Sequence, residues 1–143
     1  MVVLDTDHLS LLEWRAGSDA RRLRERLRGV EPASVVSTII SFEEQMRGWL
    51  AQLAKARTMA QQLNAYSRLS RHVRTFREIP LLEFDARVAV EFQRLRKFYP
   101  RIGSMDLKIA AIVLVQGATL LTRNLADFGK IDGLVVENWT GLA

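Results

Sequence analysis

The chain has 143 residues, and 48% of them are apolar, so it is long enough and hydrophobic enough to bury a core, which excludes an intrinsically disordered protein. It contains no cysteine, which excludes disulfide bonds and thiolate metal sites and agrees with a reducing cytoplasm. The formal net charge is +5 and no apolar run is long enough to cross a bilayer, so we expect a cytoplasmic protein with a polyanionic partner and no membrane contact.

Arginine supplies most of the positive charge and falls in three groups along the chain. Its planar guanidinium group matches the geometry of phosphate, which favours a nucleic acid as partner. The alternative is that each group is simply the solvated face of a helix, so the overall excess of charge is a better indication than any single group. The three groups are Arg21, Arg22, Arg24, Arg26 and Arg28; then Arg68, Arg71, Arg74 and Arg77; then Arg94, Arg96, Lys97 and Arg101.

The first predicted elements are a strand and two helices. Val2 to Leu4 is a short apolar run that predicts a buried strand. Thr6 is a good N-cap residue, so a helix should follow to about Trp14. After a break, Ser18 can cap a second, arginine-rich helix that ends near Gly29.

A second strand and a long helical region come next. The β-branched run from Ser34 to Thr38 predicts the strand. The helical region opens at Ser41 and continues to about Phe76, and we expect a hairpin of two helices broken near Arg57. Its first half carries apolar residues at helical spacing, namely Phe42, Met46, Trp49, Leu50 and Leu53.

The rest of the chain continues to alternate between strand and helix. Pro100 and Gly103 separate two helices, and the second of these is apolar nearly all round, so it should be buried. Trp139 is expected to pack behind the last strand. The predicted ranges are a strand over 78–82, helices over 84–98 and 104–116, and strands over 118–122 and 134–136.

This alternation predicts an α/β fold in a single domain over residues 1–143. Strands separated by helices form parallel sheets with helices on both faces, and we expect a central sheet of about five strands. In such sheets ligands bind beyond the carboxyl ends of the strands.

Four acidic residues are predicted to lie at that edge of the sheet, so they are the candidate catalytic residues. Carboxylates gathered in one place repel each other and need a cation. With no cysteine and two histidines, the oxygen ligands favour Mg²⁺ or Mn²⁺. Such a site suits hydrolysis of phosphodiester bonds. The four acids are Asp5, Glu44, Asp106 and Asp127, with Asp7, Thr122 and Asn124 as possible supporting residues.

Each acid also has a structural interpretation. Asp5 can simply end a strand, and Asp106 can be a favourable charge in the first turn of a helix. Asp7 is more often a helix cap. Glu44 can belong to a capping box with Ser41, and neither periodicity nor charge distinguishes Glu44 from Glu43 as the functional acid. In the last segment, Asp127 can be capped by Asn124, three residues before it.

Four segments resemble, in order, the motifs of PIN-domain nucleases, most closely the VapC-type toxins of toxin–antitoxin pairs. The family's second acid usually precedes a glycine by four residues, which selects Glu44. The resemblance departs at Asp7, where asparagine is common, at Gln45, where leucine is usual, and at Asn124, where many members have the fourth acid. The segments are Val3 to Leu9; Ser37 to Glu44 with Gly48; Ile102 to Ala111; and Leu120 to Phe128 with Gly133, Leu134, Asn138 and Trp139.

The resemblance implies a PIN-like fold and an Mg²⁺- or Mn²⁺-dependent endoribonuclease that uses Asp5, Glu44, Asp106 and Asp127. It leaves open whether Asn124 or Asp127 fills the fourth position. It also implies an RNA substrate, a cognate VapB-like antitoxin that inhibits the enzyme, and a homodimer.

Two alternatives remain at this stage. One is a phosphohydrolase of the haloacid-dehalogenase type, in which Asp5 is the nucleophile of an Asp-x-Asp motif and Asp7 is the acid and base. That chemistry also needs a late lysine and acidic pair, for which Lys130 and Asp132 are poor candidates. The other is a PIN-like RNA-binding domain without activity, which the presence of all four acids disfavours.

Overall fold

The fold is built on a five-stranded parallel sheet, seen in a computed structural model that describes residues 1–14 and 16–141. The strand order is β3-β2-β1-β4-β5, so β1 lies in the middle, with Val3 opposite Val36 on one side and Leu120 on the other. This confirms the predicted α/β class. The strands are β1 (Val2–Leu4), β2 (Val35–Thr38), β3 (Leu81–Leu82), β4 (Thr119–Leu121) and β5 (Val135–Glu137).

Helices connect the strands and cover the sheet. The predicted hairpin is present as α3 and α4, and the short α7 follows β4. Within the described residues, no helix is both long and apolar enough to cross a membrane. The helices are α1 (Thr6–Trp14), α2 (Gly17–Leu27), α3 (Ile39–Lys55), α4 (Met59–Glu78), α5 (Ala86–Phe98), α6 (Ser104–Gln116) and α7 (Leu125–Phe128), and a 3₁₀ turn covers Pro32–Ser34.

Four predicted helix starts were wrong. In α1 the expected cap, Thr6, is already the first helical residue. Helix α3 begins at Ile39, where the Thr38 side chain accepts the backbone N–H of Ser41 at 3.1 Å, so Ser41 is inside the helix and forms no capping box. Helix α2 begins at Gly17 with no side-chain cap. Its expected cap, Ser18, lies within the helix, because Gly17 takes a left-handed φ of 87° that starts the turn.

The last of these helices, α5, starts at residue 86 and not at Phe84. Asp85 caps it by accepting the backbone N–H of Val88 at 3.0 Å. Small shifts also occur in the strands: Ser34 belongs to the 3₁₀ turn, and the third strand contains only the last two residues of the predicted range. These corrections leave the order of the elements unchanged.

The side chains of the strands pack into two cores, one on each face of the sheet. Val3 and Leu120 point into a core with α3, α5 and α6, and α6 is buried as expected, with Ile109 and Ile112 fully inaccessible. Leu4 and its neighbours pack on the other face with α1 and α2. Trp139 is buried in this second core, behind the sheet, as predicted. The two cores fix the position of β1 and of the residue that follows it.

Candidate active site

Asp5 directly follows β1 and is buried at the carboxyl edge of the sheet. Its backbone N–H continues the ladder to β4 by donating to the carbonyl of Leu121 at 2.9 Å. Its carboxylate accepts the backbone N–H of Thr6 at 2.8 Å and the hydroxyl of Thr122 at 2.7 Å. Burial and the neighbouring Asp7 carboxylate raise the pKa of Asp5 to about 7, and the two hydrogen bonds only partly offset this.

Asp106 and Glu44 reach the same edge from α6 and α3. Burial, followed by repulsion from Asp127 and Asp7, raises the pKa of Asp106. Burial, followed by repulsion from Asp106 and Glu43, raises the pKa of Glu44. These mutual effects show that the acids face one another although they are far apart in the sequence.

The structure distinguishes Glu44 from Glu43. Glu43 forms an ion pair with Arg47, one turn further along α3, at 2.5 Å. In contrast, Oε1 of Glu44 is buried and has no hydrogen-bond partner among the described residues. An unpartnered buried carboxylate oxygen is costly unless a proton, water or cation satisfies it. Glu44 therefore has the free coordination that a functional acid needs.

The turn after β4 carries two polar side chains that link the acids. Thr122 is buried and donates to Asp5 while accepting the backbone N–H of Asn124 at 3.0 Å. The amide of Asn124 donates to Asp127 at 3.3 Å and lies 3.5 Å from Asp106. Asn124 also caps α7 by accepting the backbone N–H of Asp127. Asn124 and Asp127 thus lie together beside Asp106. Which of the two fills the fourth position of the site stays a prediction.

Asp7 lies next to the acids, but its two oxygens are already engaged. Oδ1 accepts from Nδ1 of His8 at 2.6 Å, and Oδ2 accepts the backbone N–H of Arg123 at 2.9 Å. Although burial acts to raise it, these hydrogen bonds hold the pKa of Asp7 below its ordinary value. Sequence reasoning missed His8, because a histidine on a buried helix face carries no signal until its partners are known.

The donor set is suited to a hard divalent cation. Among residues 1–14 and 16–141, no three aspartate, glutamate or histidine side chains converge closely enough to form a complete metal cage. Mg²⁺ commonly binds through one or two carboxylates and keeps several waters, so it needs no such cage. The orphaned oxygen of Glu44 and the raised pKa values of Asp5 and Asp106 fit a site that a cation would neutralise.

Part of the first arginine group is structural. Arg22 donates from Nε to the carbonyl of Thr140 at 2.7 Å and also pairs with Asp19. Arg26 stacks over the ring of Trp139, 4.5 Å from its centroid. These side chains tie α2 to the segment after β5, so they are less available to a polyanion than their charge alone indicates.

Comparison with known proteins places this architecture in a family. The PIN domain model matches residues 2–134. Ribonuclease VapC2 of Rickettsia felis is 32% identical over 65 residues, which is 43% of this chain and 48% of that protein, so the match spans about half of the relative.

Solved structures share the fold across almost the whole chain. The DNA-bound VapBC of Salmonella typhimurium gives a TM-score of 0.77 at 20% identity, covering 96% of this chain and 97% of that one. FitAcB from Neisseria gonorrhoeae gives 0.76 at 22% identity, covering 99% and 100%. Because the family model spans the first four strands, the helices and the four candidate acids, this chain belongs to the PIN-domain family.

Proposed function

We propose that this protein is a metal-dependent endoribonuclease of the VapC toxin type, which cleaves RNA phosphodiester bonds with Mg²⁺ or Mn²⁺. The observation that carries the proposal is the gathering of acidic side chains at one edge of the sheet. There Thr122 holds Asp5 and the Asn124 amide lies between Asp106 and Asp127. Oε1 of Glu44 is buried at the same edge without a hydrogen-bond partner among the described residues. Family membership and the partial match to a ribonuclease support it. The proposed catalytic set is Asp5, Glu44, Asp106 and Asp127, with Thr122 and Asn124 in support.

The side chains of the site divide the work. Asp5, Asp106 and Asp127 would hold the cation, one or two of them directly and the rest through its waters. The Thr122 hydroxyl fixes one oxygen of Asp5, and the Asn124 amide lies between Asp106 and Asp127. A bound divalent ion supplies Lewis acidity to the scissile phosphate and an activated water at neutral pH. Glu44, whose Oε1 has no hydrogen-bond partner among the described residues, would be the group that accepts a proton from the attacking water.

We also propose a VapB-like antitoxin as partner and a homodimer as the assembly. Several solved relatives are described as VapBC complexes, which supports an antitoxin. The chain also exposes large apolar side chains on one helix, as proteins with a macromolecular partner often do. These side chains on α4 are Met59 (67% exposed), Leu63 (65%), Tyr66 (54%) and Val73 (52%).

RNA cleavage by the purified chain tests the catalytic proposal. The wild type should cut RNA when Mg²⁺ or Mn²⁺ is present and stop when EDTA is added. Asp5→Asn and Asp106→Asn should each remove all detectable cleavage, because each deletes a charge that the cation requires, while circular dichroism stays that of the wild type. Cleavage at the wild-type rate by either variant would show that the site is assigned wrongly.

The same experiment distinguishes the alternatives. A phosphohydrolase would form a trappable acyl phosphate on Asp5 with a small phosphoester and would not cut RNA. An inactive RNA-binding domain would bind RNA without cleaving it under any metal condition. The match to the PIN family favours the nuclease over the phosphohydrolase. The partial match to a ribonuclease and the presence of all four acids favour it over an inactive domain.

A further inference from the structure

His8 is fully buried on α1, and both of its ring nitrogens have partners. The backbone N–H of Trp139 lies 3.1 Å from Nε2, and because a backbone N–H can only donate, Nε2 must accept. In the neutral ring the proton then sits on Nδ1, which donates to Asp7. The surroundings of His8 therefore select one tautomer.

Asp7 receives a donor at each oxygen. His8 donates to Oδ1, and the backbone N–H of Arg123 donates to Oδ2. An asparagine accepts at only one of its two terminal atoms, so in its place one donor would face an NH₂ group. The arrangement thus explains why position 7 is an aspartate beside this histidine.

The turn that Asp7 holds carries two residues of the site. Arg123 lies between Thr122, which donates to Asp5, and Asn124, whose amide faces Asp106 and Asp127. Fixing the backbone N–H of Arg123 therefore fixes the direction of the side chains on either side of it.

We propose that His8 is a positioning residue of this site. Held by the backbone of Trp139, it orients Asp7, and Asp7 anchors the turn at 122–124 in place of binding a metal itself. The kinetic consequences rest on the proposed ribonuclease function, whereas the hydrogen bonds can be measured without any activity.

The tautomer of His8 gives the first test. The chain has two histidines, so ¹⁵N spectra of the metal-free protein contain two imidazole rings, and His8→Asn identifies which is His8. We expect its Nδ1 to be protonated, its Nε2 to be unprotonated, and the Nδ1 proton to exchange slowly with solvent. A ring protonated on Nε2 would overturn the proposal.

A matched pair of variants separates the two hydrogen bonds. His8→Asn keeps a donor near the place of Nδ1 and loses the acceptor for Trp139. His8→Gln keeps an acceptor near the place of Nε2 and loses the donor to Asp7. Each variant loses one of the two hydrogen bonds that the buried ring forms, so the midpoint temperature of thermal unfolding should fall to a similar extent in both.

The two variants should differ at the site. We expect the rate of RNA cleavage by His8→Asn to stay within about fivefold of the wild type. The rate of His8→Gln should fall by about 10- to 100-fold, mostly in kcat, as it does for other residues that orient active-site groups through hydrogen bonds. The amide proton of Arg123 should stay protected from exchange in His8→Asn and become exposed in His8→Gln.

Equal Arg123 protection in the two variants, or faster cleavage by His8→Gln, would contradict the positioning role. If the wild type cuts no RNA, the proposed function fails, and the tautomer and the Arg123 amide still decide the role of His8.

Discussion

Asp5 supplies a buried carboxylate to the candidate site, and this carboxylate destabilises the folded protein when no metal is bound. Its carboxylate is only 7% exposed and is surrounded by other acids, so ionising it in the folded protein is unfavourable. The unfolded chain imposes no such penalty. The metal-free protein should therefore be strained by its own active site at neutral pH.

The pH dependence of this strain can be predicted. The folded-state pKa of Asp5 lies at about 7 and the ordinary value is 3.8, so between these values the unfolded chain has lost a proton that the folded chain keeps. Stability should fall as pH rises through this window. Denaturant unfolding of Asp5→Asn without metal should show it to be more stable than the wild type at pH 8, by roughly 1–3 kcal/mol, and this gain should vanish near pH 4.

Added Mg²⁺ gives the control for this measurement. It should stabilise the wild type and leave Asp5→Asn nearly unchanged, because the variant lacks a charge that the cation requires for binding. An Asp5→Asn variant that is less stable than the wild type at pH 8 without metal would contradict the assigned pKa.

Glu44 and Glu43 give a second prediction at this scale. Glu44→Gln should reduce the cleavage rate by about 100-fold or more, since it removes the proposed proton acceptor. Glu43→Gln is the matched control on the same helix turn. It removes an ion pair with the exposed Arg47 and the smallest of the effects that raise the pKa of Glu44, so the cleavage rate should stay within about twofold. Equal losses in the two variants would mean that α3 presents a different face to the site.

At the scale of elements, Thr38 joins a strand to a helix. Its backbone ends β2 in register with Leu82 of β3, and its side chain caps α3 by accepting the N–H of Ser41. One residue thus sets both the end of the strand and the start of the helix that carries Glu44. The direction in which Glu44 projects depends on this junction.

Replacing Thr38 tests the junction. Thr38→Val keeps the shape and removes the accepting oxygen, so the free energy of unfolding should drop by about 1 kcal/mol, the usual effect of losing an N-cap. Ser41→Ala, at the position first expected to be the cap, should cost less than half of that. The reverse order, measured by urea unfolding, would show that the sequence-based capping box was correct after all.

Element order was predictable from sequence, and most helix starts were not. Period and composition reveal strands and helices because each element buries one face or is buried completely, as α6 is. The role of Thr38 as the cap of α3 was missed because a β-branched residue in an apolar run predicts a strand, and its side-chain oxygen is then not considered as a helix cap. His8 and the backbone of Arg123 were missed for a related reason: their partners lie more than a hundred residues away.

The whole molecule carries a net charge of +5, but several of its arginine side chains form contacts within the protein. Arg22, Arg26 and Arg123 contact the segment after β5, and Arg94 pairs with Glu91. The remaining exposed cations include Arg21, Arg28, Arg77 and Arg101. Not all of the 21 lysine and arginine side chains are therefore free to reach a phosphate backbone.

The salt dependence of the affinity for RNA measures how many of the protein's cationic side chains contact phosphate groups. If about three phosphates are contacted, the affinity for single-stranded RNA should fall by roughly 20-fold between 50 and 200 mM monovalent salt. Fluorescence anisotropy with the Asp106→Asn variant, which should bind without cutting, gives this slope. An affinity independent of salt would show that the positive charge does not serve RNA binding.

The central position of β1 has a consequence for synthesis on the ribosome. Val2–Leu4 leave the ribosome early but pair with β4, and Asp5 meets Thr122, 117 residues later in the chain. While the chain is growing, β1 can pair only with β2, and the side chains beyond β4 do not yet exist. A nascent chain therefore has no complete acidic site and should spare the RNA that is being translated. The proposed cleavage would become possible only after the turn at 122–124 and α7 have emerged and folded, so the order of the strands would delay that activity until this late segment has been made.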